Sequence, residues 1–441
     1  MRILLISTNL AEEPYAVFPL GLGIIVHTLR ARGHVVRIFD FLFEKADSEK
    51  LGEEIKKFRP ELIGLGIRNV DNVNYLAPAF FLDVAAKLVT KVKSCCDAPV
   101  FVGGAGFSLM PEAILDFVGA DYGIAGAGEN AVLELTGYIE RNELPPYIIY
   151  GKTTDCDFGS CDYEEDITRF YLSKTGMLPL QTKRGCPGKC IYCSYPGLEG
   201  NHVISRDADE VLEDLMFIQK RFEPETIYFT DSVFNDSGKQ YIELLEKIAS
   251  KGMKFPWCAF FSPDEFSSEN IDLMKRTGLK TVELGADAYT DRTLAGLGKH
   301  YDFDTVFRSC EIFRNAGIKV SSSYIAGGPG ENHETLREGI ENLKRIYWVP
   351  AFLFMGIRVF PGTRIERVAR EEGLLTEASD LLNPVFYLSP EISERDLFEG
   401  LNDGVKDMPH VVFPPQSRND ELKLFMKFQI QQRKKGDRNI E

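Results

Sequence analysis

The sequence predicts an α/β protein with two parallel-sheet units in series and a small α-rich C-terminal region. Three observations carry this. Short apolar runs alternate with amphipathic helix patterns over residues 2–360, and continuous apolar strands are the mark of parallel sheets covered on both faces. A polar, acidic stretch at 142–176 interrupts the alternation, leaving five units before it and six after. The chain has 441 residues, enough for about two to three domains. The expected organisation is a doubly wound domain at 1–141, a linker at 142–176, a partial (β/α)6 barrel at 177–375 and a helical region at 376–441.

Composition narrows the class. Hydrophobic content of 44% and charged content of 27% describe an ordinary globular protein. A net charge of -15 argues against nucleic acid as a general partner, because phosphate binding needs clustered Lys and Arg. No apolar run is long enough for a membrane span. The N-terminus lacks the small-residue cleavage site of a signal peptide. Nine cysteines, three of them in one loop, fit a reducing cytoplasm rather than a disulfide framework.

In the first unit, strands are expected at 2–7, 35–39, 61–66, 99–102 and 121–124, with helices at 20–32 (stopped by Gly33), at about 77–93 and from about 129. Five such units point to a doubly wound sheet of the Rossmann or flavodoxin kind, with its ligand beyond the carboxyl ends of the strands. The residues there are Thr8 and Asn9, then residues 68–72, then Gly103-Gly104-Ala105-Gly106 and Gly126-Ala127-Gly128-Glu129. Glycines at such ends let backbone approach a large flat or phosphate-bearing ligand. Tight βα turns need glycine too, so both readings stand at each cluster. In the linker, Cys156 and Cys161 offer too few ligands for a second metal site and read as incidental.

In the second unit, strands are expected at 177–180, 226–230, 255–261, 280–284, 319–325 and 352–359, with helices between them. Functional groups belong at the carboxyl ends of barrel strands. The first strand runs into Arg184-Gly185-Cys186-Pro187-Gly188-Lys189-Cys190-Ile191-Tyr192-Cys193, three cysteines spaced C-x3-C-x2-C. Thiolates are soft ligands for iron–sulfur clusters, zinc or copper(I). A cubane cluster needs four ligands and the loop offers three, so one iron would stay free for a non-protein ligand. Gly185, Pro187 and Gly188 let the loop curl. A zinc site would want a fourth Cys or His, and His202, the one candidate nearby, follows no common zinc spacing.

This loop, with Tyr192 directly before the third cysteine, resembles the signature of the radical S-adenosylmethionine (SAM) enzymes. The resemblance implies a [4Fe-4S] cluster on Cys186, Cys190 and Cys193. Its open iron would chelate the amino and carboxylate groups of SAM, whose reductive cleavage gives a 5′-deoxyadenosyl radical. It also implies SAM contacts from Tyr192, Asp231, Asp287, Gly327 and Gly328. Asp287-Ala288 stands where relatives place Glu-Ser, and residues 326–331 resemble a G-x-P-G-E turn. Phe360-Pro361-Gly362-Thr363 resembles the family's P-G-T turn.

Residues 1–140 are similar to the cobalamin-binding domain that precedes many radical SAM barrels. The likeness lies in Pro19-Leu20-Gly21-Leu22, Arg32-Gly33-His34, Gly103-Gly104 and residues 126–129, where Ala127 replaces the usual acidic residue. It implies cobalamin contacts from Thr8, Asn9, Gly21, Arg68, Asn69, Gly103, Gly104, Gly126, Gly128 and Glu129. No D-x-H-x-x-G occurs, and His27 and His34 belong to the first helix, so residues 68–72 are the candidates to face the cobalt. The implied activity is abstraction of hydrogen from an unactivated carbon and methyl transfer from methylcobalamin. The implied substrate is a hydrophobic small molecule, and the implied electron donor a flavodoxin or ferredoxin. Radical cyclisation, rearrangement or oxidation without methyl transfer, and a non-catalytic cobalamin or cluster sensor, are the alternatives at this point.

Overall fold

The computed structural model describes residues 1–13, 15–155 and 158–414. The first sheet is fully parallel. Arg2–Ser7 lies between Val35–Asp40 on one side and Leu62–Gly66 on the other, followed by Val100–Gly103, Tyr122–Gly126 and Ile148–Gly151. The direction of winding therefore reverses between Arg2–Ser7 and Leu62–Gly66. Thr8 and Asn9 follow the first of these strands and Arg68 and Asn69 the second, which places all four at the topological switch point.

Two features of this half depart from expectation. The stretch 142–176 is not irregular, because Ile148–Gly151 adds a sixth strand and Glu165–Thr175 is a helix. The added strand is a short edge, Ile149 buried but Tyr147 80% and Tyr150 59% exposed, so its pattern is too brief to read. The helix expected from residue 77 starts at Leu82. Before it, Asp71, Asn72 and Asn74 side chains accept from the backbone N–H of Val73, Ala79 and Leu76 at 2.8, 2.9 and 3.1 Å. Such local bonds compete with helix formation.

The second sheet holds seven parallel strands in chain order, Met177–Leu180, Thr226–Phe229, Trp257–Phe261, Leu279–Asp287, Lys319–Ala326, Ala351–Met355 and Val411–Val412. Its two outer strands are not paired with each other, so the barrel is open. The first six are the expected ones, and the seventh comes from the C-terminal region. Ile227, Phe229, Val282, Leu284, Val320 and Leu353 are buried on one face. Each such side chain contributes roughly 1.5–3 kcal/mol. Alternate positions, among them Tyr228, Phe260, Glu283, Ser321, Ser323 and Phe352, stay partly exposed and line the lumen. The sixth strand ends at Met355, short of the expected 359. Gly356 turns at φ 76°, and Ile357–Arg358 pairs antiparallel with Phe386–Tyr387.

Buried ion pairs and hydrogen bonds lock the halves together. Arg358 Nε lies 2.8 Å from Asp71 Oδ2, with both side chains at most 2% exposed. Tyr171 donates to both oxygens of Asp40 at 3.2 and 3.1 Å. In the C-terminal region, where the acidic amphipathic pattern of residues 389–408 predicts a helix, the helix spans Glu394–Val405. Among the described residues no helix is long and apolar enough to cross a membrane. Cys156 and residues 415–441, where the sequence pattern predicts a further helix at 422–432, lie outside the described residues.

Candidate active site between the two sheets

The cysteine loop leaves the first barrel strand through Lys183–Arg184, which pairs with Ile204–Ser205. Gly185 then turns at φ 88°, and a Cβ there would meet the His202 carbonyl at 1.9 Å. The Cys186 N–H donates to the Gly200 carbonyl at 3.1 Å, and the Cys193 N–H to that of Cys190 at 3.3 Å. The Gly188 N–H donates to Cys186 Sγ at 3.4 Å. A Cβ on Gly188 would sit 3.2 Å from Cys186 Sγ and 4.0 Å from Cys190 Sγ, so any side chain would fill the space over the thiols.

All three cysteines are half-buried. Burial pushes the Cys193 thiol up to about 12 and raises that of Cys186. Thiolates here therefore need positive charge beside them. Lys299 supplies some, its charge acting to lower both values. Among the described residues no three Cys, His, Asp or Glu groups are arranged to hold a single metal ion. A glycine-roofed set of three soft, hard-to-ionise ligands near a buried cation fits a cluster larger than one ion.

Lys299 was not singled out by sequence. Its Nζ pairs with Asp287 Oδ2 and lies 3.1 Å from the Tyr192 hydroxyl, which donates to the same carboxylate oxygen at 2.5 Å. Burial alone would lower the lysine's pKa, but Asp287 and Tyr192 hold it well above the usual range. Asp287 itself turns at φ 63°, beside a register shift at the end of its strand. The expected SAM contacts Tyr192 and Asp287 are thus brought together, joined to each other and to a cation beside the thiols.

Other expected contacts turn out to hold the fold. Asp231 is 1% exposed; it accepts from the backbone of Thr182 at 2.7 Å and of Lys183 at 3.1 Å, and from Thr182 Oγ1 at 2.5 Å. It fixes the entry to the cysteine loop. Gly327 is closed off by the C-terminal region. Its carbonyl accepts from Ser389 at 2.8 Å, its N–H points to Glu331 at 3.4 Å, and a Cβ would strike Leu388 at 2.7 Å. Gly328 is packed against Leu297, 3.0 Å from its would-be Cβ. Glu331 is fully buried and accepts from Thr335 Oγ1 at 2.6 Å. Arg206 is buried and pairs with Asp214 at 2.7 Å.

On the opposite side, Glu129 is engaged within the protein. It is 2% exposed and forms a two-pronged pair with Arg184, at 2.7 and 3.1 Å. Because Arg184 lies two residues before Cys186, this pair ties the first domain to the cysteine loop. Gly104 and Gly126 adopt φ 101° and 81°, with carbonyls of Ile67 and Gly151 at 2.6 and 2.3 Å from a would-be Cβ. Gly103 and Gly128 are likewise hemmed in, by Ile124 at 3.2 Å and Ile25 at 2.7 Å. The turn reading accounts for all four. Gly21 is different, with nothing within 4 Å.

Around the switch point, polar groups are left over. A cavity of about 140 Å³ is lined by Thr8, Asn9, Arg68, Asn69, Phe81 and Val84 among others. Asn9 Oδ1 accepts from Ala11 at 3.3 Å, but its buried Nδ2 has no partner. An orphaned buried donor is costly, and it fits a ligand rich in amide carbonyls. Thr8 Oγ1 donates inward to Gly66 at 2.9 Å, so only its backbone faces the cavity. Arg68 and Asn69 are exposed, and the Arg68 charge reaches Tyr15, Tyr171 and Tyr195 of three different segments. His27 bonds Asp162 at 2.9 Å and His34 the N-terminus at 3.3 Å, both away from the strand ends.

Comparison with known proteins agrees with this division. Residues 6–136 match the B12 binding domain and residues 180–343 the radical SAM superfamily. Tryptophan 2-C-methyltransferase of Streptomyces laurentii is 23% identical over 81% of this chain and 73% of its own length. An uncharacterized methyltransferase of Pyrococcus horikoshii is 23% identical, covering 86% and 90%. Among solved structures, the radical SAM methyltransferase TsrM of Kitasatospora setae, with cobalamin and a [4Fe-4S] cluster bound, superposes with a TM-score of 0.85 at 21% identity, covering 97% of this chain and 99% of that one. The cobalamin-dependent radical enzyme OxsB, with aqua-cobalamin and SAM bound, gives 0.71 at 14% identity, covering 97% and 71%.

Proposed function

This chain belongs to the radical SAM enzymes that carry an N-terminal cobalamin-binding domain, and from that premise we propose that it methylates a carbon of a hydrophobic small molecule. Its cofactors are a [4Fe-4S] cluster, SAM and cobalamin. When bound, the cluster supplies the electron for reductive cleavage of SAM, and cobalamin supplies a methyl group that can pass to carbon.

The chain's own residues divide the remaining work. Cys186, Cys190 and Cys193 would hold the cluster, with Gly188 leaving the approach clear. Lys299 offsets negative charge at the thiolates, and Tyr192 and Asp287 keep its ammonium fixed. Asn9, Arg68, Asn69 and Gly21 would hold cobalamin, with the backbone of Thr8. With no histidine at these strand ends among the described residues, Arg68 and its neighbours in the same loop would face the cobalt of that cofactor. Tyr228, Phe260 and Phe352 offer an apolar wall in the lumen. Tyr75 reaches from the first domain over Gly356, its ring 3.4 Å from a would-be Cβ, and stacks edge-on against Phe386. That contact joins the first domain to the turn after the sixth barrel strand. Flavodoxin or ferredoxin is the expected donor, and a reducing cytoplasm the expected setting for so oxygen-sensitive a site.

One observation carries the reading. A three-thiol loop and a switch-point pocket with an unpartnered amide are held to one assembly by the Arg184–Glu129 pair. The test is anaerobic reconstitution with iron, sulfide and methylcobalamin, followed by reduction with SAM present. Formation of 5′-deoxyadenosine and a product heavier by one methyl group supports the proposal. Cluster-bearing protein that turns over without methyl gain would redirect it to rearrangement or oxidation.

A further inference from the structure

We propose that Glu283 recognises a cationic nitrogen of the substrate, so that the chamber takes a planar molecule bearing an ammonium group, its ring against Tyr228 and Phe260. This rests on the chamber being the methyl-transfer site.

Glu283 sits in mid-strand on the lumen face, in register with Phe260 on one side and Ser321 on the other. The buried carboxylates elsewhere in the two domains are satisfied. Asp231 accepts two backbone N–H groups and a hydroxyl, Asp71 and Glu129 pair with arginines, and Asp236 pairs with Lys183. Glu283 is the exception. Its one hydrogen-bond donor among the described residues is the Tyr228 hydroxyl, at a long 3.3 Å. Lys, Arg and His form no ion pair with it among the described residues. An ionised carboxylate offers about four acceptor sites, and Glu283, half-buried on the lumen face, keeps most of them open to whatever occupies the lumen. Burial accordingly pushes the Glu283 carboxyl above its usual range.

The surroundings specify what would relieve it. Phe260 leaves 42% of its surface uncovered, although it belongs to a central strand. Its ring lies 6.0 Å from that of Tyr228, inclined by 62°. Tyr15, from the loop after the first strand of the other domain, lies close enough to feel the charge of Glu283; burial and that charge push its hydroxyl up. Three aromatic rings around a carboxylate favour a cation or a polarised N–H, which gains from ring faces as well as from the charge. An anionic group would be repelled. Asp287 lies four residue steps along the strand from Glu283, about 13 Å at roughly 3.3 Å per residue, leaving room for a small ring system between them.

The test compares two probes that share a ring and differ in charge, tryptamine and indole-3-propionate. Both are titrated by calorimetry into cofactor-loaded enzyme under anaerobic conditions. Wild type should bind tryptamine at least tenfold more tightly than indole-3-propionate. In Glu283→Gln the preference should fall to within threefold, and in Glu283→Asp, which keeps the charge on a shorter arm, it should persist in part. Iron and cobalamin contents of the variants report that each has folded. The inference is overturned if Glu283→Gln keeps the full preference, if the carboxylate probe binds better, or if neither probe binds. SAM cleavage by the same wild-type sample keeps the two readings apart. If that sample neither holds a cluster nor cleaves SAM, the proposed function fails; if it does both without the preference, only the role of Glu283 falls.

Discussion

The two ends that meet at the chamber treat their polar groups in opposite ways. At the mouth of the barrel nearly every carboxylate is already engaged, Asp231 by backbone, Glu331 by Thr335 and Asp287 by Tyr192 and Lys299. At the switch point of the first sheet, Asn9 Nδ2 has no partner, and Arg68 and Asn69 are exposed. The contrast follows from what each end must bind. A cluster held by covalent-strength thiolate bonds needs a rigid loop, and internal carboxylates supply rigidity. A large cofactor held without a protein histidine needs many weak donors left free.

The largest effect that tests this contrast is at the thiols. Cys186→Ala should lose iron and bring SAM cleavage down more than 100-fold, while circular dichroism stays native, because among the described residues the thiol accepts one weak bond, from the Gly188 N–H. Full iron with retained 5′-deoxyadenosine formation would remove the cluster from these residues. Next comes the tie between the ends. Glu129→Ala leaves the half-buried Arg184 without its ion-pair partner, with only Gln181 still accepting from it among the described side chains, a change that costs up to about 3–5 kcal/mol in fully buried pairs. The unfolding midpoint should drop by several degrees and iron retention should suffer, with cobalamin affinity within threefold of wild type. A tenfold loss of cobalamin with iron unchanged would make Glu129 a ligand residue after all. At the switch point, Asn9→Ala should weaken cobalamin binding by roughly five- to tenfold, the worth of about one hydrogen bond, and leave iron content alone. Asn9 is a better probe than Gly104, since any side chain at Gly104 would collide with Ile67 and blur ligand loss with misfolding.

The sequence already showed the six barrel strands, five of the six strands of the first sheet and the cysteine loop, because each is written in consecutive residues. The roles of the carboxylates were hidden because their partners are remote. Asp231 meets Thr182 across 49 positions, Glu129 meets Arg184 across 55, and Asp287 meets Tyr192 across 95. A strand-end Asp or Glu reads the same whether it faces a ligand or a neighbouring backbone. Glycines raise the same ambiguity, and at Gly104, Gly126 and Gly327 the close approach is to the protein itself. Lys299 carried no signal at all. It lies in the short Leu297-Gly298-Lys299 segment, and only the fold brings it to Tyr192.

The smallest expected effect bears on the one place where the two treatments overlap. The Tyr192 hydroxyl contributes one bond to Asp287 and lies near Lys299, so Tyr192→Phe removes a single donor from a buried group. A loss of about 0.5–1.5 kcal/mol is usual for one hydrogen bond. If Tyr192 works only through that bond, cluster content should be unchanged and SAM cleavage should slow about threefold, with the KM for SAM rising and kcat nearly constant. Lys299→Met tests the same group from its cationic side and should slow cleavage more, because it takes away the charge that offsets the thiolates. Should Tyr192→Phe prove the more damaging of the two, the phenol rather than the ammonium is the working member of the group, and the barrel mouth keeps a free donor of the kind found at the switch point.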